Sequence, residues 1–153
     1  MTLPAAHRRF AYHAWASALL VDAVTDAAAH APARRPLAHA LVADGVWLRR
    51  LRGESTAGTE LWPALGAAVL RELAAGSRAA FEAWLAPGPD LDIEAVYRNS
   101  SGTEYRTARV DVLRHVLAHG AYHRGQAALE LRRAGTAPPA TDFIAWLRLG
   151  EPS

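Results

Sequence analysis

The chain has 153 residues, 51% of them hydrophobic and 21% charged, which suits one globular domain spanning 1–153 with a single well-covered core. Cysteine is absent, which excludes disulfides, thiolate ligands and an internal thiol nucleophile, and no apolar run approaches the roughly 18 residues of a bilayer span; a cytoplasmic protein is expected. The sequence pI is near 9.5, but the net charge is only +2 and all 17 basic residues are arginines, in scattered pairs without a basic, aromatic-laced stripe, so no nucleic-acid partner is expected.

Residues 4–29 read as a first helix, with Phe10, His13, Ser17, Leu20 and Val24 sharing one side. His7, Arg8, Arg9 and His13 interrupt its apolar positions, so no signal peptide is expected. Pro36 is placed as the first residue of a second helix that runs to about Leu51. "GESTAGTE", 53–60, has loop composition, and Trp62-Pro63 opens a third helix that lasts to about Leu85. "PGPD", 87–90, stops it. "IEAVYRNSSGTEYRTA" then holds two short runs around a Ser-Ser-Gly turn, a β-hairpin or a pair of extended segments. The fourth helix runs from near Arg109 to about Ala134, ended by Gly135 and Pro138-Pro139. "TDFIAWLR" closes the chain as a short helix capped by Thr141 or Asp142. Four long amphipathic helices predict an all-α fold, an antiparallel four-helix bundle.

The fourth helix carries "RHVLAHGAYHRGQ", with His115, His119 and His123 each four residues apart. At about 100° per residue the three histidines, Gln126 and Glu130 form one polar stripe about 80° wide. Val112, Val116, Tyr122, Ala127 and Leu129 share or border it, whereas Arg114, Ala118, Gly125 and Arg132 make the solvent face. The stripe is therefore expected to face inward, where imidazoles need partners. Side chains four apart on a helix stand about 5–6 Å from each other at Cβ, close enough for two imidazoles to share one ion. Such a pair also occurs in helices as a stacked, water-satisfied couple. A third ligand is available in His39, alone on the apolar side of "LAHALVADGVWL" with Ala40, Ala43, Val46 and Trp47. By itself His39 reads as a satisfied core histidine, but two buried sites that each need a partner can satisfy each other through one cation. His13 is a possible fourth member and reads better as a hydrogen-bonding neighbour. Arg124 points roughly opposite the stripe and is expected to support a loop carbonyl or a carboxylate.

These segments resemble the DinB family of small metal-binding proteins over nearly the whole chain. "FAYHAWAS" is similar to the family's first-helix aromatic motif and "LAHALVADGVWLRRL" to its second-helix histidine segment, with "HGAYHRGQ" the most specific piece. The resemblance implies a four-helix bundle with one divalent metal, usually zinc or nickel, held by His39, His119 and His123. It also implies a homodimer, which Trp15, Trp62, Trp84 and Trp146 support only if they lie at the surface. His115 matches a position outside the ligand set, suited to orienting a ligand or a water at the metal. Relatives in the superfamily act on low-molecular-weight thiols as S-transferases or isomerases. Three neutral imidazoles leave a coordination position open, as in catalytic zinc sites. A water or a thiol from outside would be activated there, with His115 as general base and Tyr122 as donor to a developing charge. The readings left open are a metal-dependent enzyme of thiol-transferase or hydrolase type acting on a thiol or another small molecule, a non-catalytic metal-binding or stress-response protein, and a structural bundle with a histidine-rich core. The first two require the ring of residue 39 to lie within about 7 Å of those of 119 and 123.

Overall fold

The computed structural model describes residues 1–99 and 101–152. Among them the fold is mostly helical, with five α-helices and one two-stranded antiparallel sheet. The first helix, α1 (Leu3–Ala23), starts where the Thr2 hydroxyl accepts the Ala5 amide at 3.4 Å, with Pro4 in the first turn. It stops at Ala23, short of the predicted residue 29, because the chain beyond has better partners than its own helix. Val24 turns extended, the Thr25 amide donates to His30 Nδ1 at 3.1 Å, and Arg34 donates to the carbonyls of Thr25 and Ala27. Residues Ala28–His30 form a single 3-10 turn.

Helix α2 (Ala31–Leu51) begins five residues before the predicted start and carries Pro36 inside it, buried. So near the N-terminus the proline removes one intrahelical bond and leaves the rest of the ladder intact. Helix α3 (Ala67–Leu85) begins later than predicted. Trp62 precedes a proline and is held out of the helical region, so 62–66 stay irregular. The N-terminus of α3 is capped from afar, the Ala67 amide donating to Asp26 Oδ1 at 2.8 Å.

The predicted hairpin is present as β1 (Glu94–Arg98) and β2 (Glu104–Ala108), with Tyr97 opposite Tyr105. Of its Ser-Ser-Gly turn, Ser100 lies outside the described residues. Asn99 Oδ1 accepts the amides of Ser101 and Thr103 at 3.0 and 2.9 Å, and Gly102 takes a positive φ of 84°. Helix α4 (Arg109–Arg133) follows β2 directly. Helix α5 (Phe143–Arg148) has Asp142 at its N-cap, but neither predicted cap side chain bonds the helix; the Thr141 carbonyl instead accepts the Tyr12 hydroxyl at 2.7 Å. Trp146 is buried in the core and not at the surface.

α2 packs along α4 and α1 along α3, with α2–α3 and α1–α4 contacts joining the two pairs. Two apolar clusters result, one around Phe10, Phe81, Leu48 and Leu113, the other around Leu20, Leu37, Leu70 and Leu131. α4 thus has helices on two sides, and each side receives a different set of polar residues. Among the described residues no helix is long and apolar enough to cross a membrane.

Candidate metal centre

The α2–α4 interface brings together the three histidines expected to meet. The rings of His39 and His119 are 5.1 Å apart between centroids, those of His39 and His123 4.6 Å, and those of His119 and His123 4.4 Å. His119 Nε2 lies 3.2 Å from His39 Nε2 and 3.1 Å from His123 Nε2. One ligand atom from each residue lies within 4.8 Å of the other two. His123 is buried, and His39 and His119 are partly so.

The outer nitrogens settle which atoms face the centre. His39 Nδ1 is 2.7 Å from the Leu61 carbonyl oxygen, and a carbonyl only accepts, so Nδ1 carries the proton and Nε2 is a bare lone pair. His123 Nδ1 donates to Gln126 Oε1 at 2.8 Å, with the same consequence. Two lone pairs therefore point at the one Nε2 of His119. Its single proton satisfies one of them at most, and in the other tautomer three lone pairs converge. A cation resolves the conflict. Two nitrogens each about 2.0–2.1 Å from a tetrahedral zinc stand about 3.3 Å apart, close to the separations seen. The donor set therefore fits a divalent metal, and its outer hydrogen bonds are of the kind that fix imidazole ligands.

The electrostatics favour the neutral form of His119 and His123, the form in which an imidazole is a ligand. Burial, reinforced by His123, His39 and His115, pushes the His119 pKa down to about 4, with Asp44 opposing. Burial also lowers that of His123, partly offset by the bond to Gln126. An unfolded histidine titrates near 6.5, so between that pH and about 4 the unfolded chain binds a proton that folded His119 refuses. Stability of the metal-free protein is accordingly expected to fall as pH drops through this window. Urea midpoints measured from about pH 7 to about pH 4.5 check the sign, and a flat profile would contradict it.

Around the triad, Trp62 lies flat on His39, 3.7 Å between centroids at 3°. The sequence places Trp62 at the opening of the third helix, which begins instead at Ala67. His115 continues the row at the solvent edge, packed on Trp47 at 4.8 Å and beside His119 at 5.4 Å. Partial burial and then the Arg50 guanidinium lower its pKa. Tyr122 is 65% exposed, with its ring edge-on to His123.

His13 stands apart from the triad, on the opposite side of α4. It bonds Arg124, whose expected partner is a loop carbonyl or a carboxylate. Arg124 is buried and donates through Nη1 to His13 Nδ1 at 3.1 Å and to Ser17 Oγ at 3.3 Å. That leaves the His13 proton on Nε2, which donates to Asp44 Oδ2 at 2.9 Å; Ser77 Oγ donates to the same oxygen at 3.0 Å. Helix periodicity alone does not single out Asp44, though a lone acid in "LAHALVADGVWL" is its signal. Gly120 lets this network close, since a Cβ there would collide with His13 Cε1 and stand 2.9 Å from Nδ1. Gly120→Ala is expected to lower stability by about 1–3 kcal/mol, measured by chemical denaturation.

None of the curated proteins compared with the chain matches it. A family model described as the DinB family matches residues 9–152. That span takes in all three convergent histidines, and the chain belongs to the DinB family.

Proposed function

We propose that the protein is a divalent-metal-dependent enzyme of the thiol S-transferase or hydrolase type. In this reading His39, His119 and His123 hold zinc or nickel in the core of an antiparallel four-helix bundle, and the protein works as a cytoplasmic homodimer. The observation that carries it is the pair of Nε2 lone pairs on His39 and His123, fixed by Leu61 and Gln126 and aimed at a third imidazole. A divalent cation held by His39, His119 and His123 would supply Lewis acidity and activation of a nucleophile. His39 and His123 present their Nε2 atoms without reorganising, because their Nδ1 protons are already engaged. His115, kept neutral at the solvent edge, accepts a proton from the incoming nucleophile, and the exposed Tyr122 hydroxyl donates to charge developing on the substrate. A chain without cysteine takes its sulfur from a low-molecular-weight thiol cosubstrate.

Metal analysis of untagged protein tests the centre, with one equivalent expected. Turnover of a generic thiol acceptor with bacillithiol, mycothiol or glutathione tests the chemistry, with loss of activity in His119→Ala. Stoichiometric metal without turnover of thiols or esters would instead favour a non-catalytic metal-binding or stress-response protein. Protein that neither contains metal nor takes it up on titration would leave only a histidine-rich core.

A further inference from the structure

A cleft of about 510 Å³ opens between the loop after α2 and the β1–β2 hairpin, within the roughly 300–1,000 Å³ range of small-molecule sites. Leu61, whose carbonyl holds His39, lines it, so the cleft adjoins the histidine triad. The loop wall is held in shape by Arg49, which donates to the Ser55 carbonyl and to Thr59 Oγ1.

Arg50 also lines this cleft, and its state is unusual. The guanidinium sits in the corner made by Trp47 and Tyr97, 4.5 and 4.9 Å from their ring centroids, with the two rings nearly perpendicular at 78°. Among the described residues its Nε is buried without a hydrogen-bond partner, and Nη2 reaches only the Arg98 carbonyl at 3.5 Å. No carboxylate among the described residues pairs with it. The other charges of the cleft are matched: Arg98 bonds Glu104 at 2.9 Å, and Glu54 lies 4.0 Å from Arg49. An aromatic corner that fixes a guanidinium, with no anion supplied by the described residues, leaves a preorganised cation facing a cavity of ligand size.

We propose that this cleft binds a small organic carboxylate, the carboxylate pairing with the Arg50 guanidinium and the body packing against Tyr97. A planar fork matches the two oxygens of a carboxylate, whereas a phosphate dianion calls for a second free cation, and Arg98 is already committed to Glu104. The proposal does not rest on the metal, since none of these contacts involves the histidines.

Titrating 4-fluorobenzoate into the full chain, with and without zinc, tests it by amide chemical-shift mapping and fluorine NMR. The expected result is binding in both states, with shifts centred on residues 53–61 and 96–99. Neutral 4-fluorobenzamide is expected to bind at least about tenfold more weakly, and Arg50→Gln to weaken 4-fluorobenzoate by roughly tenfold or more. No binding, equal binding of the amide, an unchanged affinity in Arg50→Gln, or shifts confined to the surroundings of His39, His119 and His123 would overturn the proposal. Tighter binding of 4-fluorophenyl phosphate would overturn the carboxylate assignment. Should Arg50→Gln fail to fold, the wild-type map and the amide comparison decide on their own.

Discussion

His119→Ala is expected to abolish stoichiometric zinc binding, with affinity falling by more than about a hundredfold. The loss of an outer-sphere partner already costs about 10–100-fold in metal affinity, and His119 is the central member of the triad, within 3.2 Å of both other Nε2 atoms. The two remaining nitrogens are held by separate helices and make a weaker chelate. The effect has a second readout. Zinc at a hundred times its dissociation constant stabilises a protein that binds it only when folded by about 2.7 kcal/mol. The thermal midpoint of the wild type should therefore rise by several degrees with zinc, and that of the variant should not move. Titration calorimetry and thermal scans of untagged protein check both. A variant that still takes up one equivalent with near wild-type affinity would place the metal somewhere other than the triad.

The largest expected loss of folding stability comes from Asp44→Ala. Asp44 is 2% exposed, and its Oδ2 accepts from both His13 and Ser77. Through His13 it is linked to Arg124, itself 4% exposed. Burial lowers the Arg124 pKa, with Tyr12 and Asp44 opposing that shift. Removing the carboxylate leaves a buried cation without its counter-charge and a buried His13 N–H without an acceptor. Breaking such a network by deleting one partner costs about 3–5 kcal/mol. Asp44→Asn, which keeps an acceptor of similar shape, is expected to cost less. Urea denaturation of both variants checks the order, and an Asp44→Ala protein within about 1 kcal/mol of wild type would refute the argument.

Much of this molecule can be read from its residues, and the limits follow from physical causes. The four-residue spacing of His115, His119 and His123 survives translation into structure because a helix turns by a constant angle. The same constancy misleads at Arg124. Its direction, opposite the histidines, suggests a loop carbonyl or a carboxylate as partner, but α4 packs against helices on two sides, and the arginine reaches His13 and Ser17 of α1 instead. Helix ends were misplaced at residues 24–30 and 62–66 because their competitors lie elsewhere in the chain. His30 and Arg34 take the backbone groups that would have prolonged α1, and Asp26 caps α3 from forty-one residues away. His39 was legible as an isolated polar residue. Its want of a partner already made it the candidate third ligand, and the resemblance then named it one, since spacing within one helix says nothing about a second.

Leu61 carries a consequence of a different sort. The group that fixes the tautomer of His39 is a peptide oxygen, which every amino acid at that position provides. Point changes there leave it in place, while an insertion or deletion in the segment joining α2 to α3 would carry it out of reach. Inheritance of the centre thus depends on segment length at this point rather than on residue identity, and relatives with quite different side chains there can keep the same imidazole poised.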